Sequence, residues 1–258
     1  MTHLAIDPLA QFPTLAEAVL GFPLSTVQVQ AFALYAERLL EWNAHTNLTA
    51  IRDLPGIYSK HFLDAFSALQ AQPNWQAPLH VIDVGSGAGL PGLALAIICP
   101  HWQVTLNDAV GKKCRFLQAM CDELGLTQVR VVHARAEDLG QDRTHRQAYD
   151  WVTARAVARL PILLEYLLPL AKMGGRILAM KGETAMQELA DSQPALKLLG
   201  ASGGTCRPVQ VPGISETRYL VDIPKTRSTP REYPRKAGVA ERKPLGVPLS
   251  PTPKREKQ

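Results

Sequence analysis

The sequence is poor in the features that mark several large classes of protein. Its four cysteines, Cys99, Cys114, Cys121 and Cys206, form no CxxC pair, so neither a zinc knuckle nor a disulfide framework is indicated. They read as small buried hydrophobes in a reducing compartment. No apolar run approaches the ~20 residues needed to cross a bilayer. The first Lys or Arg is Arg38, too late for the basic start of a secretory signal. The expectation is a soluble, cytoplasmic, monomeric protein with no membrane partner. No GxxxxGK occurs either, which excludes a Walker phosphate loop.

What is present is apolar mass and an uneven distribution of charge. The 258 residues are 46% hydrophobic and 20% charged, enough for one domain with a sizeable core plus appendages. From Lys225 to Gln258 there are ten Lys/Arg, three Asp/Glu and six prolines, leaving 18 bases and 20 acids before that point. The surplus positive charge of the chain thus sits in residues 225–258. Such a stretch is expected to be an extended, flexible arm that reaches toward phosphates or simply keeps the protein soluble.

Ser25 and Gln28 have the spacing of a helix capping box, and Phe32, Tyr35, Ala36, Leu39 and Leu40 follow as one amphipathic stripe. Phe62, Ala65, Phe66 and Leu69 form a second stripe. Residues 1–75 therefore read as a helical extension. After Pro78 short apolar runs alternate with helical stretches, the pattern of βαβ units and a parallel sheet. Strands are expected at Leu79 to Val84, Gln103 to Leu106, Val129 to His133, Trp151 to Thr153 and Arg176 to Met180. Two more, at Thr205 to Val211 and Arg218 to Ile223, complete a doubly wound domain over 76–224. Leu117, Met120, Cys121 and Leu124 stripe one of its helices, stopped by Gly125. Glu183 to Leu199 reads as a single crossover helix.

The most informative stretch is Asp83-Val84-Gly85-Ser86-Gly87-Ala88-Gly89-Leu90-Pro91-Gly92, a strand running into three glycines and then a helix. Glycine is required where φ is positive or where a ligand presses on the main chain, and the first turn of a doubly wound sheet needs both. Leu90 stands where a dinucleotide fingerprint needs its third glycine, so the pyrophosphate-binding form is not matched. Asp108 lies 23 residues after Gly85, near the distance at which an acid accepts both ribose hydroxyls, although it also suits a simple turn before Gly111. In Ala134-Arg135-Ala136-Glu137-Asp138, main-chain groups and an acid can frame an adenine edge. The same loop and acid keep a nicotinamide-dependent oxidoreductase open as a rival reading. A non-catalytic RNA-binding protein is a third.

The spacing DxGxGxG resembles the first motif of class I S-adenosylmethionine-dependent methyltransferases. Taken together, the segments resemble the bacterial 16S ribosomal RNA guanine-N7 methyltransferase family, RsmG, also called glucose-inhibited division protein B. Matching stretches are Asn47-Leu48-Thr49, His61 to Asp64, Asp83 to Gly92, Gly111-Lys112-Lys113, Phe116-Leu117, His133 to Glu137, Val152 to Ala156, Lys181-Gly182, Tyr233 to Gly238 and Lys243-Pro244-Leu245. The resemblance implies a Rossmann-like, mostly parallel seven-stranded sheet and S-adenosyl-L-methionine as cofactor. The 16S rRNA of the small ribosomal subunit would be the partner, and N7 of a guanine in its decoding-site loop the target. It carries cofactor contacts onto Gly85, Leu90, Ala136, Glu137 and Arg155, with Asp108 as the ribose acid; Gly87 and Gly89 complete the loop. Thr46, Ala109 and Ala154 depart from the family pattern.

The chemistry implied is economical. Guanine N7 has an exposed lone pair, so no proton need be removed first, and no catalytic triad or metal cluster is visible. Neither Pro-Pro nor Pro-Cys occurs, which speaks against the motifs of amino-group and cytosine C5 methylases. Arg155 is the residue expected closest to the reaction, holding a cofactor carboxylate or guanine O6. Lys112, Lys113, Arg130 and Arg135 are candidates for phosphate contacts.

Overall fold

The structure, a computed structural model, describes residues 8–246; residues 1–7 and 247–258, the outer parts of the expected extension and tail, lie outside them. Three helical segments come first: α1 (Pro8–Leu20), α2 (Thr26–Thr46) and α3, which runs over residues 54–71. The capping box forms as expected. Ser25 Oγ accepts from the Gln28 amide at 3.3 Å, and Gln28 Oε1 accepts from the Ser25 amide at 2.9 Å. The rings of Phe12, Phe32, Phe62 and Phe66 interlock between these helices at centroid distances of 5.0 to 6.0 Å, the range in which edge and tilted aromatic pairs attract. Within α3, Ile57–Leu63 winds as a π-helix, a geometry frequent at functional sites.

Seven strands form one sheet: β1 (His80–Val84), β2 (Gln103–Asp108), β3 (Val129–His133), β4 (Tyr149–Arg155), β5 (Ala171–Lys181), β6 (Thr205–Val209) and β7 (Arg218–Pro224). The order is β3-β2-β1-β4-β5-β7-β6, with β7 antiparallel to both β5 and β6 and the other neighbours parallel. Helices cover both faces, so the middles of β1, β4 and β5 are buried and send alternate residues to opposite sides. Val81 and Leu178 join the core shared with α1 to α3, α4 (Gly92–Ile98) and α5 (Gly111–Glu123). Ile82 and Ile177 face the second core. It is built with α6 (Ala136–Gln141), α7 (Leu160–Leu167), α8 (Ala185–Asp191), α9 (Gln193–Leu199) and α10 (Val239–Arg242). Among the described residues, no helix is long and apolar enough to cross a membrane.

Two expectations are corrected. Glu183 to Leu199 is not one helix but two, α8 and α9, parted at Ser192. Ser192 Oγ donates to the Glu188 carbonyl at 2.6 Å, and Pro194 has no N–H to continue the ladder.

The second correction concerns the basic tail, which is not an extended arm over residues 225–246. Those residues wrap onto α6, α7 and α9. Arg146 donates from its guanidinium to the carbonyls of Gly140, Thr229, Pro230 and Tyr233 at 2.6 to 3.0 Å. Arg235 forks onto the buried carboxylate of Glu165, and Lys225, 1% exposed, donates to the Leu168 carbonyl and to Thr229 Oγ1. Lys225 and Arg235 are thus met by protein acceptors, while Arg231, Lys236, Arg242 and Lys243 stay exposed on the packed segment, and composition alone does not reveal which are which.

Candidate functional site

The glycine loop leaves β1 at its carboxyl end, where ligands bind in open α/β sheets. Its three glycines have φ of 71° at Gly85, 59° at Gly87 and 94° at Gly89. Gly89 is also enforced from below. A Cβ there would strike the hydroxyl of Tyr35, which α2 sends beneath the loop to donate to the Ala88 carbonyl. At Gly87 the nearest atoms to such a Cβ are 3.8 Å away or more, so the loop has free space in front of it.

Asp83 ties the two ends of the loop together. Its fully buried carboxylate accepts from Thr153 Oγ1 at 2.9 Å and from the Gly92 amide at 3.0 Å, while Ser86 Oγ donates to its carbonyl at 2.9 Å. Burial pushes its carboxyl up to about 6, an effect these donors oppose. Asp108 ends β2 as expected and clamps the loop from the other side. Oδ2 accepts from the Gly87 amide at 2.9 Å, Oδ1 accepts from the Val110 amide at 2.8 Å, and Lys113 Nζ stands 3.8 Å away.

A cleft of about 270 Å³ opens here, lined among others by Gly85, Asp108, Ala109, Lys113, Ala136 and Val157. Of the residues singled out in the sequence, Gly85, Asp108 and Ala136 thus share one space. Gly87 and Gly89 shape the loop behind it, and Leu90 is buried beneath. Glu137 turns its buried carboxylate away from the cleft and accepts from the Gly238 amide at 3.1 Å, anchoring the folded part of the tail.

Arg155 lines a different cavity, of about 420 Å³, together with Thr49, His61, Asp64, Lys181 and Arg218. Ala156 belongs to the walls of both spaces and holds a left-handed φ of 56°, unusual for a residue with a Cβ. Arg155 Nη1 donates to Asp64 Oδ2 at 2.7 Å and to the Lys60 carbonyl at 3.1 Å. Burial, and next the nearby Arg155 guanidinium, push the His61 imidazole down to about 4, so it is neutral at physiological pH and shares a 2.7 Å hydrogen bond with Thr49 Oγ1.

Sequence reasoning did not assign Tyr35, Asp64, Asp83 or Arg218 a role. Asp83 opens the glycine motif and Asp64 lies in a stretch that carried the family resemblance, so both had a signal. Tyr35 looked like one more apolar stripe position, and Arg218 had no signal beyond starting a strand.

A main-chain loop without the dinucleotide glycine, facing an acid across a small cleft on a sheet whose seventh strand runs backwards between β5 and β6, is the build of a class I S-adenosylmethionine-dependent methyltransferase. A solved structure described as a predicted O-methyltransferase from Agrobacterium tumefaciens has the same fold. It superposes with a TM-score of 0.51 at 17% identity, over 66% of this chain and 83% of its own. Within that class the chain belongs to the GidB family, rRNA small subunit methyltransferase G, whose model matches residues 28–210. Two relatives bear the name ribosomal RNA small subunit methyltransferase G. One, from Lactobacillus delbrueckii subsp. bulgaricus, is 46% identical over 226 residues, 87% of this chain and 95% of its own. The other, from Geobacillus kaustophilus, is 43% identical over 235 residues, 91% of this chain and 98% of its own.

Proposed function

We propose that the protein methylates N7 of a guanine in the decoding-site loop of the 16S rRNA of the small ribosomal subunit, with S-adenosylmethionine as methyl donor. The observation that carries this reading is the pair of adjoining spaces, one bounded by the glycine loop and Asp108, the other basic, divided by Ala156. Family membership supplies the substrate class.

The residues present fit the cofactor. A carboxylate oxygen has two acceptor sites, so each oxygen of Asp108 keeps one after taking a main-chain amide, which is what a ribose diol needs. Gly85 and Ala136 bring main chain to the cleft, and Ala109 and Val157 supply apolar walls. S-adenosylmethionine, when bound, supplies an electrophilic sulfonium methyl.

The chain's own part in the reaction is positioning. N7 reacts through its lone pair, so the protein needs no general base, and neutral His61 beside Arg155 is not called on to be one. Holding the base in attack geometry is worth about 7 kcal/mol or more of the barrier. Arg155, fixed by Asp64 and the Lys60 carbonyl, is placed to hold guanine O6 from the wall of the basic cavity. The proposed substrate, ribosomal RNA, puts the enzyme in the cytoplasm, and the reaction so described asks for no second subunit.

The test is calorimetric titration with S-adenosylmethionine and with NAD, followed by mapping of N7-methylguanosine in small-subunit RNA incubated with the purified protein. Binding of the first ligand only, and one new methylated guanine in 16S rRNA, is the expected result. Preference for NAD would restore the oxidoreductase reading, and cofactor binding without methylation the non-catalytic one.

A further inference from the structure

The basic cavity holds an arginine that methyl transfer as described above does not use. Asp64, 4% exposed, stands between two arginines that come from different strands. Arg155, at the end of β4, is bonded to Oδ2. Arg218, at the start of β7, faces the other oxygen, its Nε 3.4 Å from Oδ1. That approach is an ion pair without a hydrogen bond: Asp64 Oδ1 and Arg218 Nε are both buried and, among the described residues, neither has a hydrogen-bond partner. Of the other cations on the wall, Lys181 is spent on Glu188 Oε2 at 2.8 Å and on the Ala158 carbonyl, and Lys60 is exposed and shares with Arg218 the nearby charge of Glu216. Arg218 is therefore held by charge alone, and about a third of its side chain is exposed.

A buried donor and acceptor that face each other unbonded form an unfinished contact, and a ligand is one way to finish it. We propose that Arg218 is a second residue of this cavity, beside Arg155, that grips the RNA. It closes on an oxygen of the target nucleotide, a phosphate or guanine O6, while Asp64 is the positioning residue that holds Arg218 and Arg155 on opposite carboxylate oxygens. The proposal rests on the methyl-transfer reading of the site. Arginine suits the task because its planar fork presents five donors, so pairing one edge with a carboxylate leaves others for an oxygen ligand. The bidentate grip on O6 and N7 together, common in nucleic-acid readout, is ruled out here because it would occupy the atom to be methylated. The grip is limited to O6 or to phosphate.

The test compares wild type, Arg218→Gln and Arg218→Lys as full chains, after circular dichroism confirms that they are folded; the lysine variant keeps the ion pair if the glutamine variant melts early. Arg218→Gln is expected to lower kcat/KM for small-subunit RNA by roughly tenfold to a hundredfold while leaving S-adenosylmethionine affinity unchanged by calorimetry. If the ligand oxygen is a phosphate, the slope of log affinity against log salt flattens by about one and Arg218→Lys recovers most of the loss. If it is O6, the slope stays, the lysine variant is not a rescue and the loss lies in kcat. Asp64→Asn should shift the same kinetic parameter as Arg218→Gln, and the double variant should be no worse than the more impaired single one, as for residues acting as a unit. Additive losses would overturn the positioning role of Asp64. An active wild type with an Arg218→Gln variant unchanged in kcat, KM and salt slope would overturn the proposal for Arg218. A wild type that binds no S-adenosylmethionine, or methylates no rRNA, would instead count against the methyl-transfer reading, and the salt series would still decide whether Arg218 touches RNA.

Discussion

The hydroxyl of Tyr35 donates to the main-chain carbonyl of Ala88, so a helix of the N-terminal layer supports the glycine loop from below. Both partners are buried, and Tyr35 also excludes any side chain at position 89. Tyr35→Phe keeps the ring and its packing but leaves that carbonyl unsatisfied. The expected loss is about 1 to 3 kcal/mol of stability, or roughly 2–4 °C of Tm per kcal/mol for a protein of this size. Cofactor affinity should fall as the loop loosens. Scanning calorimetry and titration on the same sample check both, and a variant with wild-type values on each would make the contact incidental.

Asp108 is read here as both loop clamp and ribose acceptor, and Asp108→Asn separates the two. One oxygen remains to accept an amide, whereas the new NH₂ meets a donor where the charged oxygen met Gly87 or Val110. A modest drop in Tm and a loss of roughly 1.5 to 3 kcal/mol in S-adenosylmethionine binding, about tenfold to a hundredfold in Kd, are expected. Unchanged affinity by calorimetry would reduce Asp108 to a turn residue.

What was legible in the sequence was local. Strands β1, β2 and β4 announce themselves because most of their residues are buried, which turns them into short apolar runs, and the loop announces itself because glycine is the residue that most readily holds its three positive φ angles. The acid after β2 is found by counting from the loop. Contacts between distant segments leave no such trace. Arg155 meets Asp64 across 91 positions and Arg218 closes the same cluster from a further strand, so sequence could offer Arg155 as a site residue without saying which space it serves. Glu137 shows the same limit: its side chain is claimed by Gly238, 101 positions later. Composition misled at Lys225 to Gly246 for a related reason, since counting charges does not reveal the Leu168 carbonyl that receives Lys225 or the buried Glu165 that receives Arg235.

Gly87→Val tests the loop itself. The φ of 59° disfavours any residue with a Cβ, and more so a β-branched one, by about 1 to 2 kcal/mol. Because a Cβ at this position meets no protein atom closer than 3.8 Å, the fold should survive while the space kept for a ligand is filled. A cooperative melt with no detectable S-adenosylmethionine binding is the expected pair of results. Normal binding by a folded Gly87→Val protein would remove Gly87 from the site.

Lys225 gives a prediction in pH. It is buried where the folded tail meets the domain, donates to the Leu168 carbonyl and Thr229 Oγ1 and, among the described residues, to no carboxylate, and burial, reinforced by the nearby Arg146 charge, pushes its ammonium from 10.5 down to about 7. Between those two values the unfolded chain holds a proton at this site that the native protein has released, so stability rises with pH across that window. The contribution is complete above 10.5 and is lost as pH falls through 7. Lys225→Met removes the titrating group while keeping an unbranched apolar stem, at the expense of an unsatisfied Leu168 carbonyl that costs about 1 to 3 kcal/mol at every pH. The absolute offset is therefore uninformative, and the slope is the readout. Urea unfolding at a series of pH values from 7 to 9 should show wild type gaining on Lys225→Met by an amount that approaches about 1.4 kcal/mol per pH unit. Parallel curves would mean that Lys225 stays charged in the folded protein, with its hydrogen bonds to Leu168 and Thr229 enough to offset its burial.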